Sequence, residues 1–340
     1  MSSVEKLVLP GSEGLLSPIS EFFNQSDVSE ILINRPKEIW VENRQGMTRH
    51  HVEAFTPLYL RRLFKFIANE NKQVLNIDSP ILSGSTFDGS RVQLMIPPAA
   101  THYTLSIRRQ TLSKLTLDDY KKANFFDNTK IFSMNDSLLD LITEDEKKLL
   151  ALYQSPEKWI EFLELAIKLK KNIVLSGGTS TGKTTFLNTC TSLIPLYERI
   201  ITLEDTREVD LPHENQVNLL APKNSNITMQ ELVQSTLRLR PDRLIMGEIR
   251  GAEILDFIGA CSTGHEGSIA TIHANNPRAA QMRMVQLYKQ NNVPSMRDEE
   301  IRDEITSVVD IIVQLNKSKI GRCASSIWFK LHDEIQNDSF

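Results

Sequence analysis

The first third of the chain alternates short apolar segments with polar turns, a pattern typical of strands around a helix. Residues 30–34 and 38–42 are rich in β-branched and other apolar side chains, which predicts two strands. In residues 56–69 the apolar positions fall at i, i+3, i+4 and i+7, which predicts an amphipathic helix. An Asp-Gly pair between residues 83–87 and 91–96 is a strong hairpin signal. This part of the chain is therefore predicted to be α+β.

The middle of the chain is rich in charge and weak in strand character, which indicates a connection between two domains. We predict an N-terminal domain over residues 1–115, a linker over 116–155 and a second domain over 156–335. Within the linker, Thr143 and Glu146 have the spacing of a capping box, which predicts a short helix after Thr143. The second domain can pack on its own first domain or on that of a neighbouring subunit, and the sequence leaves both open.

From residue 156 onward the pattern changes to alternating helix and strand. Residues 172–176, 199–203 and 243–246 have apolar cores of the kind found in parallel strands buried on both faces. Residues 308–315 and 324–329 are predicted to form a final hairpin. This order predicts an α/β fold with a mostly parallel sheet and helices on both sides.

The strongest chemical signal is residues 177–184, which fit the pattern G-x-x-x-x-G-K-[ST] between an apolar strand and a predicted helix. Glycines let main-chain N–H groups curl around polyphosphate, and the helix N-terminus adds partial positive charge. Lys183 is predicted to contact the β- and γ-phosphates, and the Thr184 hydroxyl to bind Mg²⁺. The loop residues expected to bind nucleotide are Gly177, Gly178, Thr179, Ser180, Thr181, Gly182, Lys183 and Thr184.

Hydrolysis also needs carboxylates near the metal ion and the attacking water. Glu204 and Asp205 end one predicted strand, and Glu248 follows another where an Asp is usual in a Walker B motif. His273 ends a further apolar strand, where an imidazole can hydrogen-bond the γ-phosphate or a catalytic carboxylate. Because the carboxyl ends of parallel strands converge, these side chains are expected to face one phosphate. Without the P-loop they would be interpreted as ordinary turn and structural residues.

Composition limits the classes of partner and compartment. The chain has 39 Lys and Arg against 43 Asp and Glu, a net charge of -4, which gives no general attraction to nucleic acid. No sequence-specific nucleic acid binding is expected, because no basic stretch with interleaved aromatic residues is present. Cys190, Cys261 and Cys323 are too far apart to indicate a disulfide framework or a cysteine-built zinc site. A cytoplasmic protein without a signal peptide or membrane span is expected.

Residues 177–185, 201–206, 243–250 and 263–276 together resemble the Walker A, Asp-box, atypical Walker B and His-box motifs of the secretion traffic ATPases. Within that family the chain is most similar to the ATPases of the VirB operon of type IV secretion and conjugation systems. The resemblance implies a hexameric ring in which each subunit has an α+β N-terminal domain and a RecA-like P-loop NTPase C-terminal domain. ATP and Mg²⁺ are then held between the two domains.

The resemblance also implies roles for individual residues. Thr185 joins the nucleotide-binding loop, and Arg91 and Arg108 match positions that approach the phosphates from the N-terminal side. Glu204 is assigned to the attacking water, and Glu248 with Thr184 to the metal ion. Lys183 and His273 complete the catalytic set. The roles of Glu204 and Glu248 can be exchanged, because the usual Walker B Asp is missing.

The function implied by the resemblance is a motor that converts ATP and water to ADP and phosphate. It would power pilus biogenesis and substrate translocation from the cytoplasmic face of the bacterial inner membrane, together with the inner-membrane ATPases and channel components of a type IV secretion system. Type II secretion ATPases generally carry a tetracysteine module that three scattered cysteines cannot build. The remaining alternatives are a Tad-type pilus assembly ATPase, a RecA-like nucleic-acid motor, and an assembly platform that binds nucleotide without hydrolysing it.

Overall fold

The computed structural model describes residues 11–109, 121–122, 127, 142–222, 225–293, 295–319 and 321–338. These residues form two β-sheets, each with its own helices. The first sheet has the order β3-β2-β1-β6-β5-β4, and all of its neighbouring strands are antiparallel. Its strands are β1 (Glu30–Ile33), β2 (Glu38–Asn43), β3 (Gly46–His51), β4 (Ile81–Ser85), β5 (Arg91–Met95) and β6 (Thr104–Arg108). Its helices are α1 (Ser12–Leu16), α2 (Ser20–Asn24) and α3 (Pro57–Glu70).

Helix α3 contributes its apolar face to the hydrophobic core of the first sheet. Its N-terminus is capped by the Thr56 side chain, which accepts a hydrogen bond from the Tyr59 amide, and Pro57 occupies the first turn. The apolar face of α3 is buried, and Leu60 and Phe64 belong to one hydrophobic cluster with buried side chains of β1, β5 and β6. The predicted helix and α+β architecture are confirmed.

The second sheet is parallel except at one edge. Its order is β13-β12-β7-β11-β10-β8-β9, and only β13 runs antiparallel to its neighbour among the described strands. Its strands are β7 (Ile173–Gly177), β8 (Ile200–Glu204), β9 (Gln216–Leu220), β10 (Arg243–Met246), β11 (Ile269–Ile272), β12 (Ile311–Ser318) and β13 (Gly321–Phe329). Its helices are α4 (Glu144–Tyr153), α5 (Trp159–Lys168), α6 (Lys183–Ser192), α7 (Met229–Thr236), α8 (Glu253–Ser262), α9 (Pro277–Tyr288), α10 (Asp298–Val308) and α11 (Lys330–Asp338).

Helices cover both faces of this sheet and bury its central strands completely. One core contains residues of α7, α8, α9 and α10, and the other contains residues of α4, α5 and α6. Strands β7, β8, β10 and β11 are buried along their whole length. The predicted α/β class is confirmed, and so is the final hairpin, although it begins three residues later because Val308 ends α10.

The predicted linker is only partly within the described residues. The capping box of Thr143 and Glu146 is present at the start of α4, as predicted. Leu149 of this helix is buried in the core of the second sheet. Residues 116–120 lie outside the described part of the chain, and the domain boundaries after residues 115 and 155 stay predictions.

The two sheets meet along the edge strand β9. The Leu220 amide donates to the Ala99 carbonyl at 2.9 Å, and the Thr101 amide donates to the Asn218 carbonyl at 3.1 Å. The Asn34 side chain, just after β1, donates to the Asn215 side chain at 2.9 Å. The N-terminal part therefore pairs its main chain with the second sheet. In the described ranges, no helix has the length and apolar character required to cross a membrane.

Candidate nucleotide-binding site

The loop between β7 and α6 has the backbone conformation of a phosphate-binding loop. Ser180 and Gly182 both have positive φ, at 62° and 91°, and Gly182 is the N-cap of α6. A Cβ on Gly177 would lie 2.5 Å from the Thr181 hydroxyl and 2.8 Å from the Leu315 carbonyl oxygen. Glycine is therefore required at the first position because the main chain of β12 passes directly beside it.

Lys183 lies across the mouth of this loop. Its ammonium group donates to the carbonyl oxygens of Gly177 and Gly178 at 2.9 and 3.0 Å. It is also 3.4 Å from His273 Nε2. Partial burial lowers the pKa of Lys183, and the nearby Glu248 carboxylate opposes that shift. The lysine is thus held at the loop, next to residues from a second strand end.

A charged cluster faces the loop from the ends of β8, β10 and β11. One Glu248 oxygen is 3.1 Å from His273 Nε2, and the other accepts from the Arg250 guanidinium at 2.6 Å. Arg250 also forms an ion pair with Asp205. The hydrogen bond with Glu248 is the largest cause of the raised Arg250 pKa. Both oxygens of Glu248 therefore already have partners.

Glu204 occupies a different environment, since it is 2% exposed at the end of β8. One of its oxygens accepts from the amides of Glu208 and Val209 at 2.8 and 2.7 Å. The other is buried and has no hydrogen-bond partner among the described residues. Burial raises the Glu204 pKa, against the lowering effect of those amides. The carboxyl group is fixed at one oxygen and unsatisfied at the other.

The structure brings most of the predicted residues into one cleft of about 340 Å³. Its lining includes residues 179–185 together with Glu204, Glu248 and His273. Gly177 and Gly178 do not belong to this lining, but their carbonyl oxygens accept hydrogen bonds from Lys183, which does. The predicted convergence of strand-end residues on the loop is thus present in the structure.

Arg91 and Arg108 do not reach this cleft in the single chain. They are paired across β5 and β6, and they line a separate cavity of about 390 Å³. Arg108 Nε is 3.6 Å from a Glu30 oxygen. The physical reason for the separation is that both arginines belong to the antiparallel sheet, whereas the cleft lies at the carboxyl ends of parallel strands. Their contact with nucleotide stays a prediction.

Three further residues of the cleft were not assigned from the sequence. Glu208 accepts a hydrogen bond from the Thr184 hydroxyl at 3.0 Å. Arg250 holds Glu248 and Asp205, and Arg322 reaches the loop from β13. Arg250 could have been found from its position two residues after Glu248, which places it at the same strand end. Glu208 and Arg322 carry no local sequence signal, because only the folded loop and hairpin bring them to the P-loop.

Comparison with known proteins places the chain in a family. The family model described as "Type II/IV secretion system protein" matches residues 139–338. The type IV secretion system protein VirB11 of Bartonella quintana is 32% identical over 314 residues, which are 89% of this chain and 88% of that protein. The chain belongs to the type II/IV secretion system protein family.

Other members of this type II/IV secretion system protein family support the same placement. The type IV secretion system protein PtlH of Bordetella pertussis is 31% identical over 333 residues, covering 93% of this chain and 94% of that protein. The crystal structure of the VirB11 ATPase from the Brucella suis type IV secretion system superposes with a TM-score of 0.88 at 30% identity, covering 97% of each chain. The match confirms the resemblance and the predicted fold, a RecA-like P-loop domain with an α+β N-terminal part.

Proposed function

We propose that this chain is an ATP-hydrolysing motor subunit that powers pilus biogenesis and substrate translocation by a bacterial type IV secretion system. The observation that carries the proposal is the cleft in which Lys183 of the P-loop lies against the Glu248–His273 pair. The chain is also similar along almost its full length to VirB11 proteins of type IV secretion systems.

The P-loop and the N-terminus of α6 are proposed to bind the polyphosphate of ATP. The loop amides and the helix dipole attract its negative oxygens, and Lys183 exchanges its present carbonyl partners for the β- and γ-phosphates. Mg²⁺ prefers oxygen ligands, and with nucleotides it is bound by one or two protein oxygens together with phosphate oxygens. Thr184 and Glu248 line the cleft and would supply such oxygens. When bound, Mg²⁺ neutralises charge on the β- and γ-phosphate oxygens.

Glu204 is proposed to orient the attacking water and accept its proton. Its buried second oxygen has no hydrogen-bond partner among the described residues, and Glu204 is one of the residues that line the cleft. A water molecule admitted beside this oxygen when ATP binds would find a free acceptor there. Both Glu248 oxygens contact Arg250 and His273, which fixes the position of this carboxylate. Mg²⁺ would be held by lone pairs on those oxygens that the two contacts leave free. A raised pKa also makes Glu204 a better proton acceptor than an ordinary carboxylate.

The working unit is proposed to be a homohexamer on the cytoplasmic face of the inner membrane, in contact with the inner-membrane ATPases and channel components of the secretion system. In such a ring Arg91 and Arg108 approach the phosphates, either by movement within one subunit or from a neighbour. A guanidinium group pairs well with phosphate oxygens, so its arrival completes the site.

The test is steady-state phosphate release from ATP by the purified full chain with Mg²⁺, measured alongside native mass. Lys183→Ala and Glu204→Gln should each reduce the rate by about a hundredfold or more, since they remove phosphate and water contacts. The matched controls are Lys168→Ala and Glu161→Gln on the exposed side of α5, which should keep the wild-type rate. Hexamers without Mg²⁺-dependent hydrolysis would instead support a nucleotide-locked assembly platform.

A nucleic-acid motor makes a different prediction in the same assay. Single-stranded DNA would stimulate hydrolysis steeply, and added salt would remove that stimulation. We expect no such stimulation, because the chain carries a net charge of -4.

A further inference from the structure

The P-loop and Glu248 belong to strands that are not neighbours in the sheet. The P-loop follows β7 and Glu248 follows β10, and β11 lies between these two strands. Residues 247–250 form neither helix nor strand. The register of β10 with β11 ends at the pair of Met246 and Ala270, two residues before Glu248. Contacts other than regular strand pairing must therefore hold the main chain of Glu248 in place.

Thr271 of β11 supplies two such contacts. Its hydroxyl donates to the Gly247 carbonyl at 2.6 Å, and its own carbonyl oxygen accepts from the Ile249 amide at 2.8 Å. Both distances lie at the short end of the normal range for their kind of hydrogen bond. Thr271 therefore holds the residue before Glu248 and the residue after it, which fixes the point from which the Glu248 side chain extends.

Thr271 is itself a rigid anchor. It is 2% exposed, and it pairs with Leu175 of β7 in the parallel sheet. A β-branched side chain has few χ1 states, so the direction of the hydroxyl is well defined. Leu175 lies two residues before Gly177, the first residue of the P-loop. Thr271 thus links the main chain around Glu248 to the strand that carries the P-loop.

The carboxylate end of Glu248 has separate partners. His273, two residues after Thr271, is 3.1 Å from one oxygen, and Arg250 donates to the other at 2.6 Å. Both of these partners are about half exposed, whereas Thr271 is buried. A functional side chain keeps its geometry only when the groups that support it are themselves fixed. The buried contacts of Thr271 are therefore the firmer part of this support.

We propose that Thr271 is a positioning residue that holds Glu248 in place for Mg²⁺ by fixing the main chain on both sides of it. This inference rests on the proposed function, because it requires Glu248 to contribute to Mg²⁺ binding. Thr271 acts through Glu248 and is not assigned a contact with ATP. Loss of its hydroxyl should therefore affect the response to Mg²⁺ and the rate of hydrolysis more than the binding of nucleotide.

The first experiment is kinetic and uses Thr271→Val, which removes the hydroxyl and nearly keeps the side-chain shape. In steady-state phosphate release, kcat should fall about tenfold to a hundredfold, and the Mg²⁺ concentration for half-maximal rate should rise at least about fivefold. The KM for ATP at saturating Mg²⁺ should stay within about threefold of wild type. Thr271→Ser keeps the hydroxyl and should recover kcat to within about threefold of wild type.

The matched control is Thr236→Val in α7. Thr236 is also fully buried, and its hydroxyl donates to the Val233 carbonyl at 2.6 Å, but it does not line the P-loop cleft. This variant loses the same kind of hydrogen bond at the same length. It should keep the wild-type kcat and Mg²⁺ dependence, so a general loss of stability is separated from a loss of positioning.

The second experiment measures binding without turnover. Calorimetry gives the factor by which Mg²⁺ strengthens the binding of a non-hydrolysable ATP analogue. Thr271→Val and Glu248→Gln should each reduce this factor, and the double variant should show the same factor as Glu248→Gln alone, because Thr271 acts through that carboxylate. Binding of the analogue without Mg²⁺ should stay within about twofold of wild type in all three variants.

The negative outcomes have different meanings. If Thr271→Val is folded and keeps the wild-type kcat and Mg²⁺ dependence while Glu248→Gln does not, only this inference is overturned. The same holds if Thr271→Val reduces the Mg²⁺ factor further in the Glu248→Gln background. Thr271→Ala also lacks the hydroxyl and replaces Thr271→Val if that variant does not fold. If wild type hydrolyses no ATP, or if Lys183→Ala hydrolyses it at the wild-type rate, the proposed function itself is overturned.

Discussion

Glu30 gives a sharp test of how burial controls stability in the first sheet. It is 5% exposed on β1, with Arg108 Nε at 3.6 Å from one oxygen and no hydrogen-bond partner for the other among the described residues. Burial raises its pKa from 4.5 to about 7, although Arg108, Arg240 and Arg199 oppose the shift. The folded protein therefore keeps a proton on Glu30 at pH values where the unfolded chain has lost it.

The sign of the effect follows from proton binding. Between the unfolded pKa of 4.5 and the folded pKa of about 7, the folded state binds more protons at Glu30, so its contribution to stability falls as pH rises. At about 1.4 kcal/mol per pKa unit, raising the pH from about 5 to about 8 should remove roughly 2.5 kcal/mol. Glu30→Gln has no proton to lose and should not show this decrease.

The assay is hydrogen exchange measured by mass spectrometry on peptides covering β1 and β6, corrected for the intrinsic pH dependence of exchange. The difference in opening free energy between wild type and Glu30→Gln should grow by roughly 2.5 kcal/mol in favour of the variant over that pH range. Glu161→Gln, an exposed change on α5, should follow wild type. Parallel pH profiles for wild type and Glu30→Gln would refute the argument that burial of this carboxyl group costs stability.

Three further outcomes follow from the site and from the contact between the sheets. The acid limb of the ATPase pH profile should have an apparent pKa above the ordinary 4.5 of glutamate, because burial raises the Glu204 pKa, and Glu204→Gln should abolish the activity that defines this limb. Gly177→Ala should weaken ATP binding more than about tenfold in calorimetry, because its Cβ meets a main-chain oxygen at 2.8 Å, whereas Gly259→Ala in α8 has open space and should bind ATP like wild type. Arg240→Ala should lower the free energy of unfolding by about 1 to 3 kcal/mol in urea titrations, because Glu42 loses its guanidinium partner across the two sheets.

The sequence predicts correctly those elements that are determined by residues close together in the chain. The P-loop lies between β7 and α6 as expected, and the Thr143 capping box starts α4. Strand β3 was missed because its exposed face carries polar side chains with no apolar alternation. The helix α10 and the edge strand β9 were also not predicted.

The residues of the candidate site also fall into two groups, those that could be predicted from the sequence and those that could not. Glu204, Glu248 and His273 could be found because each ends a buried strand, and parallel strands bring their carboxyl ends together. Arg322 could not be predicted, because it is far from the P-loop in sequence and its position depends on the register of β13 against β12. The cavity lined by Arg91 and Arg108 is likewise determined by how the two sheets pack, which no local spacing encodes.

The main-chain pairing of residues 99–101 with β9 has a consequence for solubility. Strand β9 is the last strand on its side of the parallel sheet, and an exposed edge offers unpaired N–H and C=O groups to any passing strand. Residues 99–101 occupy part of that edge through the hydrogen bonds at Leu220 and Thr101. If the first sheet moved away from β9, these main-chain groups would lose their partners and the edge would be open to pairing with another strand.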